Sequence, residues 1–240
     1  MTPEERLIVA LDVDTKEKAL GLVEKLKNDV KIFKIGSELF TACGPEIVAD
    51  VENSGSGIFL DLKFHDIPNT VAKSVAAAVR LGVSIINVHA LGGYDMMRKA
   101  AEAVAREAKA LKIDPPKLIA VTVLTSTDEN GLKKIGIDGT MEKQVLKLAK
   151  LARDAGLDGV VASPSEAKLI RNDLGEDLII VTPGVRPEWA AVNDQKRVAT
   201  PKEAILNGAD YIVVGRPVIE ASDPAEAARK ILKEIQLVLC

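Results

Sequence analysis

Short apolar runs rich in β-branched residues recur along the chain at positions 7–11, 32–35, 58–62, 85–88, 118–123, 159–162, 178–182 and 211–214. Between them apolar residues return at helical spacing, as in Val71, Val75, Ala78, Val79 and Leu81, or Val145, Leu148, Ala149, Leu151 and Ala152. The pattern predicts a strand–helix unit repeated eight times. The near-continuous apolar character of the strands implies burial on both faces, as in a parallel sheet covered by helices. Gly82, Gly156 and Gly208 stand where helices should end, and Asp14 with Glu17 reads as a capping box opening the helix after the first strand. The longest polar stretches, 127–140 and 186–200, follow the fifth and seventh strands as loops, and the second is a candidate lid.

Alternating elements suit an open doubly wound sheet or a closed barrel, and the polar residues discriminate. Asp12, Lys34, Asp61, Lys63, Thr125, Arg186 and Arg216 fall just after strands one, two, three, five, seven and eight. In an open sheet, strand spacings of ~4.8 Å would spread them along a line, whereas closure lets them converge at one end of a barrel. No G-x-G-x-x-G follows the first strand, so a dinucleotide site has no support. The expectation is a single-domain (β/α)8 TIM barrel over residues 1–240.

Composition narrows the function. Hydrophobic residues at 47% and charged residues at 28% supply a core and a solvated surface. A net charge of −3 and 3% aromatic residues argue against nucleic-acid binding. Cys43 and Cys240 form neither a disulfide framework nor a zinc site, which suits a reducing cytoplasm. No run reaches the roughly 18 apolar residues of a membrane span, and the opening residues do not read as a secretory signal.

The densest chemistry lies at 60–70, Leu-Asp-Leu-Lys-Phe-His-Asp-Ile-Pro-Asn-Thr. If the strand is regular, Asp61 and Lys63 share a face while Leu60 and Leu62 turn into apolar packing, and Asp66 follows on the turn within reach. The competing reading is a solvated strand end with a surface ion pair, worth ~0–1 kcal/mol. After strands seven and eight, Pro183-Gly184-Val185-Arg186 and Gly215-Arg216-Pro217 combine close backbone approach with guanidinium groups. Those strand ends are where barrels of this type commonly hold phosphate. Exposed arginines on ordinary turns are the alternative.

The D-x-K-x-x-D of Asp61, Lys63 and Asp66, continued by Ile67-Pro68-Asn69-Thr70, resembles the signature of bacterial-type orotidine 5′-monophosphate decarboxylases. Leu11-Asp12, Lys34, Leu124-Thr125-Ser126, Pro183-Gly184-Val185-Arg186 and Gly215-Arg216-Pro217 are similar to that family's other pieces, in order. The resemblance implies loss of CO2 from C6 of orotidine 5′-monophosphate, giving uridine 5′-monophosphate without cofactor or metal. It implies that Lys63 protonates C6 and that Asp61 and Asp66 hold Lys63 and Lys34. Asp12 and Lys34 would contact the ribose hydroxyls, Thr125 (or Ser126) the pyrimidine edge, and Gln195 both base and phosphate. Pro183, Arg186, Gly215 and Arg216 would line the phosphate end. A homodimer is implied, with Asp66, Ile67 and Thr70 entering the neighbouring site.

Two other readings stay open. Sugar-phosphate decarboxylases and aldol-type synthases of the same superfamily share D-x-K-x-x-D but use magnesium with a further carboxylate, and a nucleotide-phosphate binding protein would need no chemistry. His65 and His89 read as structural, Trp189 and Glu188 as a partly buried loop anchor or lid contacts, Cys43 as core filler and Cys240 as a frayed terminus.

Overall fold

The structure, a computed structural model, describes residues 1–190 and 199–239. Eight parallel strands close into a barrel in sequence order. They are β1 (Leu7–Ala10), β2 (Ile32–Gly36), β3 (Gly57–Phe64), β4 (Ile85–His89), β5 (Lys117–Val121), β6 (Gly159–Val161), β7 (Ile179–Thr182) and β8 (Tyr211–Val214). β1 pairs with both β2 and β8, so no edge is left. The TIM-barrel expectation holds.

Apolar residues on both strand faces serve separate purposes. Ile8, Ala10, Phe59, Ile85, Ile119, Val181 and Val213 form one buried cluster, the filling of the barrel. Leu7, Val9, Phe33, Ile35, Leu60, Ile86 and Val88 belong to a larger cluster with the surrounding helices. The predicted helical stripes supply its outer half: Val71, Val75, Ala78 and Val79 on the helix Pro68–Arg80, and Val145, Leu148, Ala149 and Ala152 on the helix Met141–Asp154.

The helix-ending glycines begin a local repeat that fixes strand register. Gly82, Gly156 and Gly208 have φ of +78°, +83° and +95°, where an L side chain is strained. Two residues on, Ser84, Asp158 and Asp210 precede β4, β6 and β8. Each donates its N–H to a carbonyl of the preceding strand, at Ile58, Leu118 and Ile180. Each side chain then accepts the N–H of that same residue, at 3.3, 2.8 and 2.8 Å. Asp210 is also held by the Arg171 guanidinium from the helix Pro164–Leu174. The bonds to Asp158 and Asp210 are charge-assisted, of a kind worth about 1.5–3 kcal/mol, and with the Ser84 bond they anchor the end of the barrel opposite the chemistry.

The structure corrects several sequence expectations. The helix Lys16–Leu26 is capped by Thr15, whose side chain accepts from Lys18 N–H, while Asp14 instead pairs with the Lys18 ammonium at 2.6 Å. The stretch 127–140 contains a short helix, Glu129–Lys134, capped by Asp128 and burying Leu132. β3 runs past Leu62 to Phe64, its register against β4 shifting between Leu60 and Phe64 before Phe64 pairs with Val88. Among the described residues no helix is long and apolar enough to cross a membrane.

Candidate active site

The C-terminal ends of the first strands bring four charged side chains together. Lys34, which pairs with Ala10 two residues before Asp12 in the β1–β2 register, donates to Asp12 Oδ1 at 2.8 Å and lies 3.5 Å from Asp61 Oδ2. Lys63 Nζ reaches Asp61 Oδ1 at 2.6 Å. The carboxylates and ammoniums therefore alternate: Asp12, Lys34, Asp61, Lys63. Gly36 makes room for this, since a Cβ there would stand 2.9 Å from Lys34 Nζ.

Asp61 and Lys63 do meet, but not through a regular strand. Lys63 has φ of +50° and sits inside the register shift, so a bulge carries its ammonium onto Asp61. Asn87 on β4, fully buried, completes the arrangement: its Nδ2 donates to Asp61 Oδ1 at 2.6 Å and its Oδ1 accepts the Lys63 main-chain N–H at 2.8 Å. Sequence reading passed over Asn87. Its one signal was a polar residue inside the apolar run Ile85-Ile86-Asn87-Val88.

The electrostatics are tightly balanced. Burial works against the charge on Lys34, but attraction to Asp61 and then Asp12, with hydrogen bonds to both, outweighs it and holds the ammonium above the ordinary lysine range. The cluster thus holds a charged Lys34 at neutral pH. It forms one wall of a cavity of about 190 Å³ whose remaining lining is mainly apolar, with Phe59, Val121, Val161, Val181 and Val213 from the barrel and Leu124, Thr125 and Pro183 from the loops. Thr125 borders this space; Ser126 is exposed outside it.

A second cavity, about 210 Å³, opens beyond the ends of β7 and β8, lined by Arg186, Trp189, Arg216 and Pro217 among others. The same chain segments build both spaces. Val181 and Pro183 line the first and Arg186 the second; Val213 lines the first and Arg216 the second. Gly184, at φ +76°, turns the chain between them, and Gly215, whose Cβ would meet Asp12 at 3.4 Å, brings β8 close to the charged cluster. Arg186 is buried, not the exposed turn residue of the alternative reading, and its main-chain N–H bonds to Ala199 across the bridge Val185↔Ala199. Gln195 lies outside the described residues, as does Cys240.

Two expectations need correction. Asp66 does not clamp the lysines of its own chain. It is exposed, its Oδ1 accepts the N–H of Ile67 at 2.6 Å, and among the described residues its carboxylate forms no ion pair. Ile67, 67% exposed, and Thr70 project beside it at the start of the helix Pro68–Arg80. Trp189 is no partly buried anchor: it is 47% exposed, with Lys230 Nζ 5.9 Å from its ring centroid, and Glu188 is exposed too. His65 and His89 stack with ring centroids 5.4 Å apart, and burial, then the neighbouring His65 and Lys63, push His89 below the usual histidine range.

Comparisons with known proteins bear on this site. The model of the orotidine 5′-phosphate decarboxylase / HUMPS family matches residues 5–231. A curated relative from Geobacter metallireducens, named orotidine 5′-phosphate decarboxylase, is 54% identical over 231 residues, 96% of each chain. One of the same name from Syntrophotalea carbinolica is 52% identical over 234 residues, 98% of this chain and 96% of its own. Among solved structures, orotidine 5′-phosphate decarboxylase from Lactobacillus acidophilus superposes with a TM-score of 0.86 at 41% identity, covering 96% of this chain and 99% of that one. An uncharacterized conserved protein from Geobacillus kaustophilus gives 0.84 at 36%, covering 95% and 99%.

Proposed function

The chain belongs to the orotidine 5′-phosphate decarboxylase / HUMPS family, and from that premise we propose that it decarboxylates orotidine 5′-monophosphate to uridine 5′-monophosphate in pyrimidine biosynthesis, with Lys63 as the proton donor. The observation that carries the reading is the Asp61 carboxylate between two ammoniums at the wall of a largely apolar cavity. A pyrimidine ring suits that cavity, and a phosphate suits the arginine-lined space beyond β7 and β8.

In this mechanism Arg186 and Arg216 hold the phosphate, with Pro183 and Gly215 shaping its approach. Asp12 and Lys34 meet the ribose hydroxyls and Thr125 the pyrimidine edge. Gln195, by the resemblance, spans base and phosphate. The substrate carboxylate stands near Asp61 and C6 near Lys63 Nζ. The bond from C6 to the carboxylate breaks, its electron pair stays on C6 in the ring plane, and CO2 leaves. The ammonium stabilises that charge, delivers its proton to C6, and regains one from water.

Magnitudes apportion the rate. Two unit charges 4 Å apart at an effective dielectric of about 20 repel by about 4 kcal/mol, against the ~8–23 kcal/mol that enzymes supply. Repulsion between Asp61 and the substrate carboxylate is therefore a partial contribution. The larger share falls to the preorganised Lys63 charge and to binding energy of the distant phosphate.

The working unit in this proposal is a homodimer in which Asp66, Ile67 and Thr70 enter the neighbouring site. Their exposure and the outward turn of Asp66 support this. Lys63→Ala and Asp66→Ala homodimers, each inactive alone on orotidine 5′-monophosphate, are expected to regain activity when mixed under verified subunit exchange. Random assortment into two-fold dimers restores about one quarter of the sites. Exchange without recovery would refute the shared site.

A further inference from the structure

Asn87 has no place in the chemistry above, yet it is fully buried and bonded to both central residues of the cluster. Its amide has one workable orientation, because a main-chain N–H requires an acceptor and a carboxylate requires a donor. That orientation closes a ring of contacts. The amide donates to Asp61 Oδ1, Asp61 Oδ1 also accepts from the Lys63 ammonium, and the main chain of Lys63 donates back to the amide oxygen.

The backbone explains why such a ring is needed. At φ +50° Lys63 stands where residues with a Cβ are seldom found, and it lies inside the shift of the β3–β4 register between Leu60 and Phe64. In a regular parallel ladder its N–H would bond to a main-chain carbonyl of a neighbouring strand. Here a side chain receives it, so Asn87 stands in for the ladder bond and secures the bulge. It is also neutral. A third donor reaches Asp61 without disturbing the alternation of Asp12, Lys34, Asp61 and Lys63, and Asn87 does not line the cavity.

We propose that Asn87 is a positioning residue for this decarboxylation: through Asp61 Oδ1 and the main chain of Lys63 it sets where the Lys63 ammonium stands relative to C6, without touching the substrate. The inference rests on the decarboxylase reading for its kinetic consequence, but its structural content does not. A displaced ammonium costs turnover, whereas the phosphate end, which carries binding, is untouched.

Two variants test it. Asn87→Asp keeps shape and acceptor but sets a carboxyl against Asp61, and Asn87→Ser is too short to span both partners. Both are expected to lower kcat by about 10²-fold, as for a misplaced reacting group, with KM near wild type. The introduced carboxyl of Asn87→Asp is held protonated by the like charge beside it and then donates as the amide did. Its kcat should therefore fall further as pH rises through an ionisation absent from wild type. The Lys63 ¹³Cε resonance, identified by its loss in Lys63→Arg, should move in both variants.

Folded variants with wild-type kcat and no new pH limb would overturn the proposal. So would a fall in kcat with the Lys63 resonance unmoved, which makes Asn87 structural only. If Asn87→Asp does not fold, Asn87→Ser decides by the same kcat and resonance criteria. If the wild type leaves orotidine 5′-monophosphate intact, the decarboxylase reading falls, and the Lys63 resonance in the variants still decides whether Asn87 positions the ammonium.

Discussion

Lys63→Ala is expected to lower kcat on orotidine 5′-monophosphate by about 10⁴-fold or more, because one group supplies both proton transfer and charge stabilisation. KM should change far less. The ammonium acts on charge that develops at C6 as CO2 leaves, while the arginines beyond β7 and β8 grip a part of the substrate that does not react. Steady-state kinetics with the folded variant check this. A large rise in KM at nearly unchanged kcat would recast Lys63 as a binding residue.

Asp61→Ala is expected to harm both activity and stability. The carboxylate is buried and accepts from Lys63, Asn87 and, at longer range, Lys34. Its removal leaves two ammoniums facing each other and an amide without its acceptor. Breaking a buried pair typically costs about 3–5 kcal/mol. Lys34 keeps Asp12 at 2.8 Å, and Lys63 is partly exposed, so the low end, ~3 kcal/mol, is expected. For a chain of this size that lowers the thermal midpoint by roughly 6–12 °C. With Lys63 no longer held, kcat should fall by about 10³-fold. Unchanged thermal stability would mean that the cluster is more solvated than its burial indicates.

Those two residues were legible in the sequence because charge directly after an apolar run is unusual, and the alternation of strand faces pairs Asp61 with Lys63. The geometry that unites them was not. A bulge at Lys63 depends on the register with β4 and on the Asn87 side chain, neither of which leaves a periodic trace in β3. Asn87 itself reads as a lone polar interruption of an apolar run. Asp66 was expected on the turn within reach of Lys63, but in its own chain it points elsewhere; the direction of a side chain after a strand end is set by the turn, here by the bond from Ile67 N–H.

Most strands were readable for a plain reason, since a strand buried on both faces is apolar throughout. Ends were less so. Thr15 rather than Asp14 caps the helix Lys16–Leu26 because both residue types accept N–H groups and only the local backbone selects one. The helix Glu129–Lys134 buries a single apolar residue, Leu132, too little to show as periodicity. Arg186, which the sequence left between a phosphate ligand and an exposed turn residue, is buried beside the cavity that Arg216 also lines.

The central claim is that these lysines and carboxylates decarboxylate orotidine 5′-monophosphate without a metal. Ultraviolet absorbance of that nucleotide, followed after adding the wild-type protein with EDTA present, tests it most directly. The expected result is loss of the orotate band with formation of uridine 5′-monophosphate and CO2 in equal amounts. A band that persists with folded protein, or turnover that appears only when magnesium replaces EDTA, would contradict it.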